Sequence, residues 1–282
     1  MNSASTKRHF PMLTISDREY DLLTSFLKQH FGINLPDSKR YLVIARLQTA
    51  LQEKGMLDFT TFLQYLANDS SGEAMEILIS RLTTNHTYFM REDSHFDFVR
   101  TTILPELAKK LKDKDLRIWS AGCSSGQEPY TLAMVIAEYF GAQKNGWDTR
   151  ILATDISPRV LELAKTGIYS KEDLSHLPEK WSQRYFKAVD DERVEVLPAI
   201  KNEVIFRYYN LMKQPFTFKK KFHMIFCRNV MIYFDNPTRK QLIQAFYDAT
   251  AEGGYFFVGL SESLNRHDIP YCYVRPSVYQ KG

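Results

Sequence analysis

Apolar residues recur at helical spacing from residue 12 to about residue 90, and from Leu116 onward short apolar runs alternate with amphipathic stretches. The first pattern predicts a small bundle of helices. Ser16-Asp-Arg-Glu19 has the form of a capping box, with Tyr20, Leu23, Phe26 and Leu27 on one face behind it and Gly32 ending the helix after Phe31. Pro36-Asp-Ser38 opens a second helix, which carries Leu42, Ala45, Leu47 and Leu51 and stops near Gly55. A third spans Asp58–Leu66 and a fourth Gly72–Leu82.

The second pattern predicts a doubly wound α/β sheet. Strand-like runs LRIWSA, RILATD, VIFRYYN and FHMIFCRN alternate with helical stretches Glu128–Phe140, Pro158–Lys165 and Pro237–Thr250. Gly254–Gly259, Tyr271–Val274 and Ser277–Gln280 predict an antiparallel hairpin that closes the sheet. The stretch from Arg184 to Ile205 does not fit the alternation and predicts a short antiparallel excursion. The expected division is a helical N-terminal domain over 1–90 and an α/β domain over 91–282, with the excursion at about 184–205.

Composition narrows the class only slightly. With 282 residues, 44% hydrophobic and 25% charged, the chain reads as a globular protein of one large or two smaller domains. A net charge of +4 does not call for a nucleic-acid partner. No run approaches the length of a membrane span and the start has no signal-peptide pattern, so a cytoplasmic location and no membrane insertion are expected. Cys123, Cys227 and Cys272 stand far apart, and the histidines show neither HxxxH nor HExxH spacing, so neither a disulfide framework nor a metal site is expected. With no heptad pattern, a monomer is expected.

Ligands of an open α/β sheet lie outside the carboxyl ends of its strands. Four polar signals fall at such ends: Gly122-Cys-Ser-Ser-Gly126 with Glu128 behind it, then Asp155, then Asn210, then Arg228-Asn229. A glycine-bearing turn followed after the next strand by an acid suits a nucleoside, with glycines letting backbone approach the ligand and the acid taking the ribose hydroxyls. Each has a plainer reading: Asp155 as the cap of the helix opening at Ser157-Pro158, Asn210 as a turn residue, Arg228-Asn229 as a solvated loop. The turn lacks the middle glycine that brings backbone to a pyrophosphate. It therefore points to S-adenosylmethionine, which has no phosphate, in preference to a nicotinamide dinucleotide. The segment Thr83–Glu92, polar yet aromatic, reads either as a linker or as a lid that gives Asn85, Thr87 and Arg91 to the cofactor's polar tail.

Taken in order, Thr84-Asn-His-Thr87 with Phe89-Met-Arg-Glu92, AGCSSGQEPY, ATDIS, Asn210-Leu211 and CRNVMIYF resemble the CheR family of chemotaxis-receptor glutamate O-methyltransferases, from about Leu13 to Tyr279. The resemblance implies a helical N-terminal domain and a class I, Rossmann-like methyltransferase domain with a small antiparallel β-subdomain. It implies S-adenosylmethionine as methyl donor, S-adenosylhomocysteine as product, and glutamates on receptor cytoplasmic helices as substrate, in the service of sensory adaptation. It places Asn85, Thr87 and Arg91 at the methionine portion, Glu128 beside the glycine turn at Gly122, Asp155 on the ribose, Asn210 and Leu211 at the adenine, and Arg228 and Asn229 by the reactive end. Arg228 or Tyr233 is expected to orient the incoming carboxylate, which needs no general base because it is ionised at neutral pH. Lys39, Arg40 and Arg46, with Val43 and Ala50 on the same helical face, are expected to form a basic groove for an acidic receptor helix. Some members tether a receptor's C-terminal pentapeptide through a glycine-containing loop of the β-subdomain; Lys187–Ile205 has no glycine, so that tether is not expected. A non-catalytic receptor module and a methyltransferase of the same fold with another protein substrate are the remaining alternatives.

Overall fold

The first helix begins where its cap is written. In the computed structural model, which describes residues 12–83, 85–262, 264–265 and 269–282, α1 (Asp17–Phe31) carries a full capping box from Ser16 and Glu19 and ends at Gly32 in the left-handed region. Thr84 of the lid motif lies outside the described residues. A single turn of 3-10 helix over Asp37–Lys39 leads into α2 (Arg40–Glu53); α3 (Phe59–Asn68) is capped by Asp58, and α4 (Glu73–Leu82) completes the bundle. The face of α2 that packs is Val43, Leu47, Ala50 and Leu51, while Leu42 is exposed. The expected basic groove on Val43 and Ala50 is therefore corrected: both are buried apolar positions, and that face is core.

The chain divides between Thr84 and Asn85 into two compact units. Asn85–Met90, expected with the helical domain, belongs with the second unit. The physical reason is Phe89, fully buried with its ring 4.9 Å from Tyr169 and 5.5 Å from Phe186, both edge-on.

The second unit opens with a stretch that periodicity did not reveal: α5 (Ser94–Phe98) and α6 (Leu104–Lys110), joined through a π-helical turn over Val99–Ile103. Pro105 has no N–H to give to the carbonyl four residues back, and the Leu104 N–H bonds Val99 five residues back, so the helix widens there. Next come β1 (Ile118–Ala121), α7 (Gln127–Phe140), β2 (Ile151–Asp155), α8 (Pro158–Thr166), β3 (Ile168–Ser170), α9 (Glu179–Tyr185), β4 (Phe186–Ala188) and β5 (Arg193–Val196). After these come α10 (Pro198–Lys201), β6 (Val204–Tyr208), β7 (Phe222–Cys227), α11 (Asn236–Ala249), β8 (Thr250–Val258), β9 (Cys272–Arg275) and β10 (Val278–Gln280).

The main sheet has seven strands in the order β6-β2-β1-β7-β8-β10-β9. Its first five run parallel, and β10 closes it antiparallel to both β8 and β9. The sequence runs β1 to β2 on one side and returns to β7 on the other, so the crevice opens at the carboxyl ends of β1 and its neighbours. One face is filled around Trp119, which is fully buried beside Phe216, Phe218, Phe222 and Phe246 and donates Nε1–H to Thr154 at 2.9 Å. On the other face Phe226 and Phe257 stack at 4.1 Å.

The antiparallel excursion is a three-stranded sheet in the order β3-β5-β4. It begins earlier than expected, because β3 is only three residues long and too short to show a period. Tyr169 on β3 reaches back to donate its hydroxyl to the Ser125 carbonyl at 2.7 Å, tying this sheet to the glycine turn.

Candidate functional site

The turn after β1 is built by its neighbours. Gly122 and Cys123 donate backbone N–H to the Thr154 carbonyl at 2.8 and 2.9 Å, which folds the chain over the end of β2. Gly122 sits at φ 86, Ser124 at φ 49 and Gly126 at φ 96, all in the left-handed region. The Cβ direction of each glycine faces protein. A Cβ on Gly122 would stand 2.4 Å from Val230 Cγ2, and one on Gly126 would stand 2.9 Å from Ala164 Cβ and 3.0 Å from the Tyr169 hydroxyl. The space they release is occupied by protein.

Asp155 ends β2 and is half-buried. Its Oδ2 accepts the Ser124 N–H at 2.8 Å and its Oδ1 accepts the Ser157 N–H at 3.0 Å. The helix cap of α8 is Ser157, whose hydroxyl accepts from Val160, so Asp155 is not the cap. Burial pushes its carboxyl above the usual range, and the backbone donors only partly oppose that. The Ile156 N–H is a third backbone donor to this carboxylate, and a carboxylate has about four acceptor directions in all, so it can still accept from a hydroxyl.

Glu128, at the start of α7, faces β7. It accepts the Ser120 hydroxyl at 2.7 Å on one oxygen and Arg228 Nη1 at 3.0 Å on the other. Burial raises its carboxyl, with Arg228 opposing and Glu92 adding to the rise. Arg228, at the end of β7, has a side chain 2% exposed. Its Nε and Nη2 donate to Glu92 at 3.2 and 3.1 Å, Nη2 also donates to the Arg91 carbonyl, and its plane lies 5.3 Å from the Phe96 ring. With all three guanidinium nitrogens engaged, Arg228 is held inside the site.

Asn229 follows at φ 58, held by its N–H to Glu262 at 2.6 Å. The same carboxylate takes the N–H groups of Gly259 at 2.7 Å and Ile232 at 3.1 Å. Burial raises the Glu262 carboxyl against these donors. Tyr233 closes the 3-10 turn Met231–Tyr233 and is half-buried. Asn210, buried after β6, accepts the Met212 N–H on its side-chain oxygen at 2.9 Å, and Leu211 beside it is buried.

The segment before Glu92 lies over the glycine turn: the Ser124 hydroxyl donates to the Asn85 carbonyl at 3.1 Å. Thr87 is half-buried. Arg91 folds back, donating Nη1 to the His86 carbonyl at 2.6 Å, with its guanidinium 6.0 Å from the Tyr88 ring. The structure thus gathers Asn85, Gly122, Glu128, Asp155, Arg228 and Asn229 around one crevice.

In the N-terminal unit, Lys39 is exposed, Arg40 is paired with Asp17 at 2.6 Å and lies 4.6 Å from the Tyr20 ring, and Arg46 donates to the Leu82 carbonyl at 3.0 Å. Arg40 and Arg46 are thereby tied to their own domain.

Sequence reading missed Glu92 and Glu262. Glu92 stands in the Phe89-Met-Arg-Glu92 motif, but Arg228, Asn229 and Leu260, which donate to it, lie more than a hundred residues away, and only the fold brings them together. His95, buried with neither ring nitrogen hydrogen-bonded and 3.6 Å from Glu92, has its pKa pushed down to about 4, chiefly by burial and by Arg228, so it is neutral at neutral pH.

Two carboxylates, 12% and 13% exposed, against one guanidinium leave one formal negative charge at the Glu92–Arg228–Glu128 cluster when all are ionised. With Asp155 alongside, the crevice favours a ligand that brings cationic groups and vicinal hydroxyls.

Comparison with known proteins agrees in both units. Residues 18–83 match the family described as CheR methyltransferase, all-alpha domain, and residues 85–278 match CheR methyltransferase, SAM binding domain. The chemotaxis protein methyltransferase of Borreliella burgdorferi is 40% identical over 273 residues, 96% of each chain. Chemotaxis protein methyltransferase 1 of Pseudomonas aeruginosa is 36% identical over 258 residues, covering 90% of this chain and 93% of that protein. The Escherichia coli chemotaxis protein methyltransferase is 35% identical over 271 residues, covering 95% and 92%.

Proposed function

The chain belongs to the CheR family of S-adenosylmethionine-dependent methyltransferases, and from that premise we propose that it forms methyl esters on glutamate side chains of the cytoplasmic helices of chemotaxis receptors, releasing S-adenosylhomocysteine. The observation that carries the reading is that two carboxylates converge on β1 and the turn after it, Glu128 through the Ser120 hydroxyl and Asp155 through the Ser124 N–H, with burial raising both. They fit the cofactor's chemistry: an ammonium and a sulfonium to offset buried negative charge, and ribose hydroxyls for Asp155. When bound, S-adenosylmethionine supplies an electrophilic methyl group.

In this reading Asp155 holds the ribose, Asn210 and Leu211 border the base, and Glu128 faces the amino-acid end. Asn85, Thr87 and Arg91 cover that end from the lid. The acceptor glutamate is already an anion, so the chain removes no proton. Its residues contribute placement and exclusion of water. Well-oriented intramolecular reactions draw about 7–11 kcal/mol from placement. With Arg228 held by Glu92 and Glu128, orientation of the acceptor falls to Tyr233, on the loop that Glu262 fixes. Lys39 is the cation that the start of α2 offers to an acidic receptor helix, with Arg40 and Arg46 adding longer-range charge. A tether to a receptor's C-terminal pentapeptide is not part of the proposal.

The test is labelled methyl transfer from S-adenosylmethionine to a receptor fragment, followed by mild base. Base-labile label that is lost when the acceptor glutamates are changed to glutamine supports the reading. Base-stable label, or none, overturns it.

A further inference from the structure

Glu92 is the last residue of the lid, at φ 59 in the left-handed region, with its side chain 12% exposed. Its carboxylate meets two separate pieces of the chain through three residues. Oε2 receives Arg228 Nε and Nη2 at 3.2 and 3.1 Å, and Oε1 receives the Leu260 backbone N–H at 3.1 Å and Asn229 Nδ2 at 3.4 Å. Arg228 and Asn229 begin the turn after β7, and Leu260 lies in the turn after β8. The carbonyl of Arg91, one residue earlier, receives Arg228 as well.

Resting on the functional reading above, we propose that Glu92 is a positioning residue: it locks the cofactor-covering segment Asn85–Arg91 to the turns after β7 and β8, so that cover and acceptor loop are set as one piece. A carboxylate is suited to this because it accepts on both oxygens, and charge-assisted bonds are roughly twice as strong as neutral ones. Glu92 also shares Arg228 with Glu128. Were Glu92 uncharged, Arg228 would neutralise Glu128 alone, and the cluster would lose its excess negative charge. Glu92 contributes to the rise of the Glu128 carboxyl, so removing its charge lowers the Glu128 pKa.

The experiment uses the full chain and S-adenosylhomocysteine as the probe. Glu92→Gln keeps size and one acceptor oxygen but removes the charge; Phe89→Leu loosens the lid through packing alone. Calorimetry across pH 4–8 gives the dissociation constant, and initial rates with a receptor fragment separate kcat from KM. For Glu92→Gln we expect a dissociation constant about tenfold higher and a kcat about tenfold lower, the size of one lost charge-assisted interaction. The KM for the receptor fragment should stay within about twofold, because that contact is made elsewhere. The acid limb of binding should move to lower pH in Glu92→Gln and stay in place in Phe89→Leu.

A Glu92→Gln variant with wild-type affinity, kcat and acid limb overturns the proposal. So does weakening with an unmoved acid limb, since that is loss of packing only. If Glu92→Gln does not fold, Glu92→Asp decides: it keeps the charge but not the reach, so affinity should fall with the acid limb unmoved, and wild-type affinity overturns the proposal. Wild-type protein that binds S-adenosylhomocysteine but esterifies no receptor glutamate would instead overturn the functional reading, leaving the binding arms to judge Glu92.

Discussion

Gly122→Ala isolates the reason for the glycine at the end of β1. The new Cβ would lie 2.4 Å from Val230 Cγ2, with Val230 Cβ and Cγ1 at 3.6 and 3.7 Å. Two costs add. An L-residue at φ 86 is strained by about 1–2 kcal/mol, and forcing a methyl into an occupied space costs about 1–3 kcal/mol. The sum is about 2–5 kcal/mol. Val230→Ala deletes the two methyl carbons and leaves only the 3.6 Å contact, which is ordinary van der Waals distance. The double variant should therefore recover the steric part and keep the backbone part, with a coupling of about 1–3 kcal/mol. Trp119, Trp147 and Trp181 all lie in the second unit, so denaturation followed by tryptophan fluorescence reports that unit. Because the methyl would face Val230 and not the crevice, the double variant should bind S-adenosylhomocysteine within about threefold of wild type, a difference under about 1 kcal/mol. Additive stability changes, or an affinity loss that Val230→Ala fails to restore, would refute the argument and return the glycine to a ligand-approach role.

The folded-state pKa values of Glu128 and Asp155 lie above their unfolded values, so the stability these groups add to the ligand-free protein is full in acid and is lost as pH rises through the raised values. A cationic ligand favours their ionised forms, so its binding should release protons in mildly acidic solution; calorimetry in buffers of different ionisation enthalpy measures this, and proton uptake would contradict it. Tyr233→Phe should lower kcat by about 1–2 orders of magnitude, as for a lost orienting contact, while S-adenosylhomocysteine affinity stays near wild type; full activity would remove Tyr233 from the proposal. Lys39→Glu should raise KM for the receptor fragment at low salt and lose that effect at high salt, and an unchanged low-salt KM would argue against an electrostatic role. Cys272 is exposed while Cys123 and Cys227 are buried with thiols pushed well up by desolvation, so native protein should take up a single maleimide, leaving S-adenosylhomocysteine binding intact; prompt labelling of a second thiol would contradict that burial.

What could be read from the residues was mostly local. The Ser16–Glu19 capping box and the Gly32 stop are decided within a few residues, and the structure has them as written. The parallel strands were legible because strands buried on both faces are continuous apolar runs. The π-turn before Pro105 and the three-residue β3 were not, since neither is long enough to have a period. On α2 the packing face was misread: Leu42 is as apolar as Val43, and only the neighbouring helices decide which points inward. In the site, Asp155 and Glu128 announce themselves by position after a strand and at a helix start. Glu92 and Glu262 do not, because their partners come from other elements.

Phe89 sets a limit on how the cover can open. Withdrawing a fully buried phenylalanine from between Tyr169 and Phe186 costs on the order of 2–3 kcal/mol, which leaves only about one to three molecules in a hundred unplugged at any moment. Exchange of a bound nucleoside by that route would wait on a rare state. A flap hinged ahead of Phe89, at Asn85–Tyr88, would carry no such wait. The small sheet therefore acts as the mooring beyond which the cover does not lift, and a substitution at Tyr169 or Phe186, both buried, should register in the melting temperature while release through Asn85–Tyr88 keeps its rate.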